Sequence, residues 1–166
     1  MRQGIVAARL SAMRVPVITA VLAAAVAVAS VSAAGFERGT ATVTSPTGTK
    51  RVVLQVEIAR TGAQREQGLM GRRSLDAKAG MVFLYPQPHR GAFWMKDTLI
   101  PLDIAFYDGR GRILRILTMQ PCRRDPCRLY DPNVAFRAAL EVKAGSFRRW
   151  GVRAGDRIVL RATRSG

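Results

Sequence analysis

Acidic side chains are scarce. The 166-residue chain has 11 Asp+Glu against 27 Lys+Arg and a formal net charge of +16. Chemistry that needs two carboxylates therefore has few places to reside. Histidine is scarcer still. The one histidine, His89, would have to serve any His-based triad, and no G-x-S-x-G marks a nucleophile for it. H-E-x-x-H, a P-loop and a Gly-rich dinucleotide fingerprint are all missing, so no cofactor is expected. Two cysteines are too few for a disulfide-dense scaffold. Beyond the N-terminus no apolar run is long enough to span a bilayer. The full chain is 48% hydrophobic, which supports one packed domain and argues against wholesale disorder.

The first segment differs from the rest. Arg2, Arg9 and Arg14 precede an uncharged stretch from Val15, and no charge follows until Glu37. Small residues at Val31-Ser32-Ala33 complete the pattern of a secretory signal peptide over residues 1–33. The alternative is an uncleaved N-terminal anchor, because residues 15–34 are also long enough to span. That segment is the one expected route to a membrane. No cysteine near the junction supports lipid attachment. Either way the chain is expected in the periplasm or outside the cell, or anchored to the inner membrane and facing the periplasm. Export weakens the case for nucleic acid as a partner. The excess of arginine makes anionic envelope surfaces, such as lipid headgroups or acidic polysaccharide, candidate partners.

Residues 34–50, rich in Gly, Thr and Ser, read as a linker or a loose first strand. A β domain is expected over residues 51–163. Arg51–Arg60 alternates Leu54, Val56 and Ile58 with Gln55 and Glu57, the period of a half-buried strand. Thr61 and Gln64 have capping-box spacing, which predicts a short helix over Gly62–Leu69. Gly80–Tyr85 reads as a doubly buried strand stopped by Pro86 and Pro88. Ile100–Leu117 reads as a hairpin about Asp108-Gly109. Ala135–Val142 fits helix or strand. Ser146 is expected to cap a helical turn through Trp150, with Gly151 as its C′ glycine. Gly155–Ala162 closes with a strand. The fold class is mainly β: an antiparallel sandwich or barrel with one or two short helices.

Few residues could carry chemistry. Cys122 and Cys127, in PCRRDPC, are expected as a disulfide in an exported protein, and no metal site is expected. Asp103 and Glu141 each interrupt an apolar strand-like run. Facing one cleft, they could act as acid and base of an envelope-polymer hydrolase; paired with arginines, they would be structural. Met70, Met81 and Met95 could ligate Cu(I) or simply fill the core. Trp94 stands beside Lys96, Asp97 and Thr98, an aromatic body among polar tips. That grouping suits a small polar or glycan-like ligand. His89, in a proline-bounded loop, reads as an exposed bystander.

Gly68-Leu69-Met70 with Arg72, Gly80-Met81 with Phe83, and Phe93-Trp94-Met95-Lys96-Asp97-Thr98 with Pro101-Leu102-Asp103 occur in order. Leu140-Glu141-Val142 with Ala144-Gly145, and Gly151-Val152 with Gly155-Asp156, follow them. The series resembles the family called domain of unknown function 192, over roughly Val52 to Leu160. The resemblance implies a mainly antiparallel, jelly-roll-like β fold and frequent export, and supplies no reaction. It departs at Asp97, where the family pattern usually has Asn. Carried across, it implies that Met70, Arg72, Trp94, Lys96, Asp97, Thr98, Asp103 and Glu141 lie near one another around a ligand.

Overall fold

The computed structural model describes residues 35–163. The expected signal segment, residues 1–33, lies outside them. The chain forms β1 (Glu37–Thr44), β2 (Arg51–Ala59), α1 (Gly62–Gln67), β3 (Ala79–His89), β4 (Leu102–Tyr107), β5 (Ile113–Met119), β6 (Phe136–Lys143), α2 (Ser146–Arg149) and β7 (Arg157–Ala162). The fold is mainly β, with one seven-stranded sheet in the order β5-β4-β6-β3-β2-β1-β7 and two short helices. Among the described residues no helix is long and apolar enough to cross a membrane.

The sheet is mixed, where a wholly antiparallel one is expected. β2 and β3 run parallel, with Gln55 to Ala59 opposite Ala79 to Phe83. Parallel neighbours need a long return connection. The segment containing α1 supplies it, and so covers part of the sheet. The region read as a linker holds β1, which is paired on both sides, to β2 and to β7.

Side chains on the two faces of the sheet form two cores. The first gathers apolar side chains from all seven strands, among them Ala41, Leu54, Val82, Ala105, Ile113, Leu140 and Ile158. A sheet curled around its own face makes such a cluster. Its two edges meet at a bridge between Arg112 and Arg157, where the Ile158 N–H donates to the Gly111 carbonyl at 2.7 Å. Gly111 has φ +81°, and a Cβ there would lie 2.2 Å from the Ile158 carbonyl oxygen, so only glycine fits. The second core lies on the other face. It joins Met81, Phe83, Ile104, Phe106 and Ala139 of the sheet to Leu69, Met95 and Tyr130 of the covering segments. Each fully buried Phe, Leu or Met stabilises the fold by roughly 1.5–3 kcal/mol.

The capping box forms: the Thr61 hydroxyl accepts from Gln64 N–H, and the Gln64 side chain accepts from Thr61 N–H. α2 begins differently from expectation. Gly145, at φ +79°, is the N-cap, and Ser146 is buried inside the first turn. Gly151 does take the left-handed conformation just past the helix. β3 runs on through both prolines to His89, but its ladder with β6 jumps from Leu84 to His89, since proline offers no N–H for pairing. Ala135–Val142 resolves as strand, becoming β6 from Phe136.

Candidate functional site

The Phe93–Thr98 segment lies over the second core. Phe93 exchanges backbone hydrogen bonds with Tyr130 at 3.1 and 2.8 Å, and the Met95 carbonyl accepts from Cys122 N–H at 3.2 Å. Met95 is buried. Alternation along an extended segment then turns Trp94 outward, and it is 45% exposed. The chain next makes a turn, closed by Thr98 N–H on the Met95 carbonyl at 3.2 Å. Asp97 takes φ +53° in it. Asn and Asp are the non-glycine residues that best tolerate this conformation. Its carbonyl accepts from Gly71 N–H at 2.8 Å, tying this segment to the one after α1. The contact Asp97 makes is thus a backbone one, to which an amide side chain is not needed.

Across from it, α1 ends at Gly68, whose φ is +46°. A Cβ there would meet the Phe83 ring at 3.3 Å. The tight approach buries Leu69 and brings Met70 to the edge of a small hollow. Met70, Phe83, Phe93, Trp94, Thr98 and Glu141 line it together with Arg65 and Glu66 of α1, and its volume is about 30 Å³. That is room for one water-sized group.

Glu141 reaches this hollow from β6. In an antiparallel ladder, residues directly opposite one another share a face. Glu141 is opposite Ile104 on β4 and Met81 on β3, and both belong to the second core. The glutamate is 4% exposed. No ion pair or hydrogen bond to its carboxyl occurs among the described residues. Burial alone pushes its pKa up to about 8. At neutral pH it is therefore mostly a protonated carboxylic acid, able to donate and to accept. The Tyr85 hydroxyl is also pushed up, first by burial and further by Glu141, while Arg65 acts in the opposite sense. The Arg65 guanidinium lies 4.8 Å from the Tyr85 ring centre and donates to the Leu84 carbonyl at 2.9 Å.

Of the eight expected site residues, Met70, Trp94, Thr98 and Glu141 line the hollow. Lys96 and Asp97 flank it on the same segment; the Lys96 ammonium is 5.8 Å from the Trp94 ring centre and 3.8 Å from Asp125. Arg72 is elsewhere, bound to Glu57 on a groove beside Gly80. Asp103 is on the opposite face of the sheet. It stands across from Val142, a member of the first core, one register position from Glu141. Its carboxylate accepts from the Thr118 hydroxyl at 2.8 Å and from Phe147 N–H at 3.4 Å. It thereby holds the first turn of α2, whose N-cap glycine has no side chain to do so. The expected Asp103–Glu141 pair shares no cleft, because adjacent register positions point to opposite faces.

Met81 and Met95 are fully buried in the second core, so of the three methionines only Met70 borders the hollow. Cys122 and Cys127 form a disulfide. Asp125 lies close to both sulfurs, but bonded sulfurs are not thiolate ligands. His89 is half-buried, stacked on Tyr85 with ring centres 4.3 Å apart. Sequence reasoning did not single out Arg65. Its signal was its place on the helix just before Gly68-Leu69-Met70.

Two solved structures resemble the chain throughout its domain. One is a proposed transcription regulator from Sinorhizobium meliloti 1021, with 31% identity, a TM-score of 0.71, and coverage of 76% of this chain and 95% of that one. Another is a protein of unknown function from Novosphingobium aromaticivorans DSM 12444, with 33% identity, a TM-score of 0.69, and coverage of 77% and 89%. No curated protein matches. The model of the DUF192 family, described as an uncharacterized ACR, matches residues 42–160, the span that holds both cores, the hollow and Glu141. The chain belongs to the DUF192 family.

Proposed function

We propose that this protein binds a small polar or glycan-like ligand at the Trp94–Thr98 segment, without catalysis, in the periplasm or outside the cell. One observation carries the reading: an exposed tryptophan stands over a hollow whose buried carboxyl has no hydrogen-bond or ion-pair partner among the described residues. A sugar-like ligand presents an apolar face that stacks on an indole and hydroxyls that both donate and accept. The hollow admits one such hydroxyl, and protonated Glu141 meets it with both a donor and an acceptor. The disulfide is compatible with an oxidising compartment. The other carboxyl at the hollow, Glu66 of α1, is exposed, and the acid paired with Glu141 in the hydrolase reading, Asp103, lies on the opposite face of the sheet.

The described helices, of six and four residues, are too short to act as recognition helices in a DNA major groove. The label carried by the S. meliloti neighbour is therefore not extended to this chain.

The test is a thermal-shift screen of the chain against neutral envelope saccharides, followed by calorimetric titration of any that stabilise it. Trp94→Ala should weaken binding at least tenfold while shifting the apo melting temperature by less than about 3 °C, since the ring is already half exposed. A screen without a stabilising saccharide, or a Trp94→Ala variant that binds like the parent, contradicts the reading.

A further inference from the structure

β5 is an edge strand that changes character along its length. At its start it is bonded on both sides. Ile113 N–H donates to the Asp156 carbonyl and Gly155 N–H to the Ile113 carbonyl, each at 2.8 Å. Past Ile113 its only ladder is with β4, and no backbone hydrogen bond leaves its outer edge among the described residues. Beside that open edge runs a groove of about 730 Å³. Leu114, Ile116 and Thr118 form one wall, and Phe147 and Val152 form the other.

Three arginines line the same groove: Arg115 from β5, and Arg148 and Arg153 from the opposite wall. All three are exposed. No carboxylate among the described residues pairs with any of them. The groove's one acid, Asp103, already accepts from Thr118 and Phe147.

An unpaired strand edge is a template for another strand. We propose that this groove binds an acidic peptide in extended conformation, added to the outer edge of β5. The open edge supplies backbone groups, which a small anion would leave unused. The arginines supply the sign of charge. A second copy of this chain, with its net +16, is repelled rather than attracted. The groove and the hollow lie on different faces of the sheet, so this proposal and the ligand reading stand or fall separately.

The experiment uses the full chain and a fluorescent eight-residue peptide of alternating Glu and Thr. Two further versions carry N-methyl groups on the odd or on the even backbone amides. Binding is read by anisotropy, and amide exchange is followed at Leu114–Thr118. Strand addition predicts that one methylated peptide binds at least tenfold more weakly while the other keeps its affinity. It also predicts slower exchange along β5. Arg148→Glu and Arg153→Glu should each weaken binding at least fivefold with the exchange of the cores unchanged. Equal binding by all three peptides would mean charge attraction alone and overturns the proposal. So does the absence of binding, or a dimer that occupies the edge.

Discussion

Glu141 is the residue on which the site turns. Its pKa is near 4.5 when unfolded and about 8 when folded. A carboxyl raised on folding contributes full stability below its unfolded pKa and loses that contribution as pH rises through the folded value. The loss therefore falls between about pH 4.5 and pH 8. Glu141→Gln removes the titration and keeps a donor and an acceptor. Urea unfolding from pH 5 to pH 9 should show the variant gaining on the parent across this window, by on the order of a few kcal/mol at the top. Two curves that stay parallel would place the carboxyl in water or beside a cation. The same logic applies to binding: saccharide affinity should fall above pH 8 in the parent and stay level in the variant. Glu141 was legible in the sequence as an acid inside an apolar strand. Which face it occupied was not, because one step in register decides that, and both Asp103 and Glu141 fit the same description.

At the scale of elements, short turns and caps position the site. Gly68 lets α1 end against the Phe83 ring. Gly68→Ala adds a Cβ at φ +46° and 3.3 Å from that ring, and should cost roughly 1–3 kcal/mol in chemical denaturation. The same change should widen the hollow and loosen ligand binding. Asp103→Ala leaves the buried Phe147 N–H without its acceptor. A loss of about 1–3 kcal/mol is expected, with faster amide exchange in α2 and the second core undisturbed. Exchange spreading equally through both cores would contradict a local role. The period-two patterns of β2 and β4, the Asp108-Gly109 hairpin and the Thr61 capping box were all readable, since each is set by neighbours in sequence. The parallel pairing of β2 with β3 was not, because nothing local distinguishes a crossover from a hairpin of the same length. Nor was the cap of α2, where a distant aspartate does the work expected of Ser146.

At the largest scale, the described residues form a curled sheet with one core inside it and a second under a cover of loops. The cover carries the exposed tryptophan and the disulfide. Closing so short a loop should contribute only about 2 kcal/mol. A Cys122→Ser, Cys127→Ser double variant should lose about that much in urea unfolding and retain the strand exchange pattern. Collapse of the sheet would assign the disulfide a larger role than its position implies. The basic surface is spread along the chain, and three of its arginines line the β5 groove, across the sheet from the hollow. The resemblance read from the ordered motifs extended to the family itself. The structure places Met70, Trp94, Thr98 and Glu141 around one hollow, and places Arg72 beside Glu57 of β2 and Asp103 at the first turn of α2.

The most direct test is the titration of the Glu141 side chain by carbon NMR of its carboxyl carbon, from pH 4 to pH 10. A buried, unpaired acid beneath Trp94 should titrate with a midpoint near pH 8, and should shift on addition of a bound saccharide. A midpoint near 4.5 would show a solvated or paired carboxylate, and the hollow would lose the group that defines it.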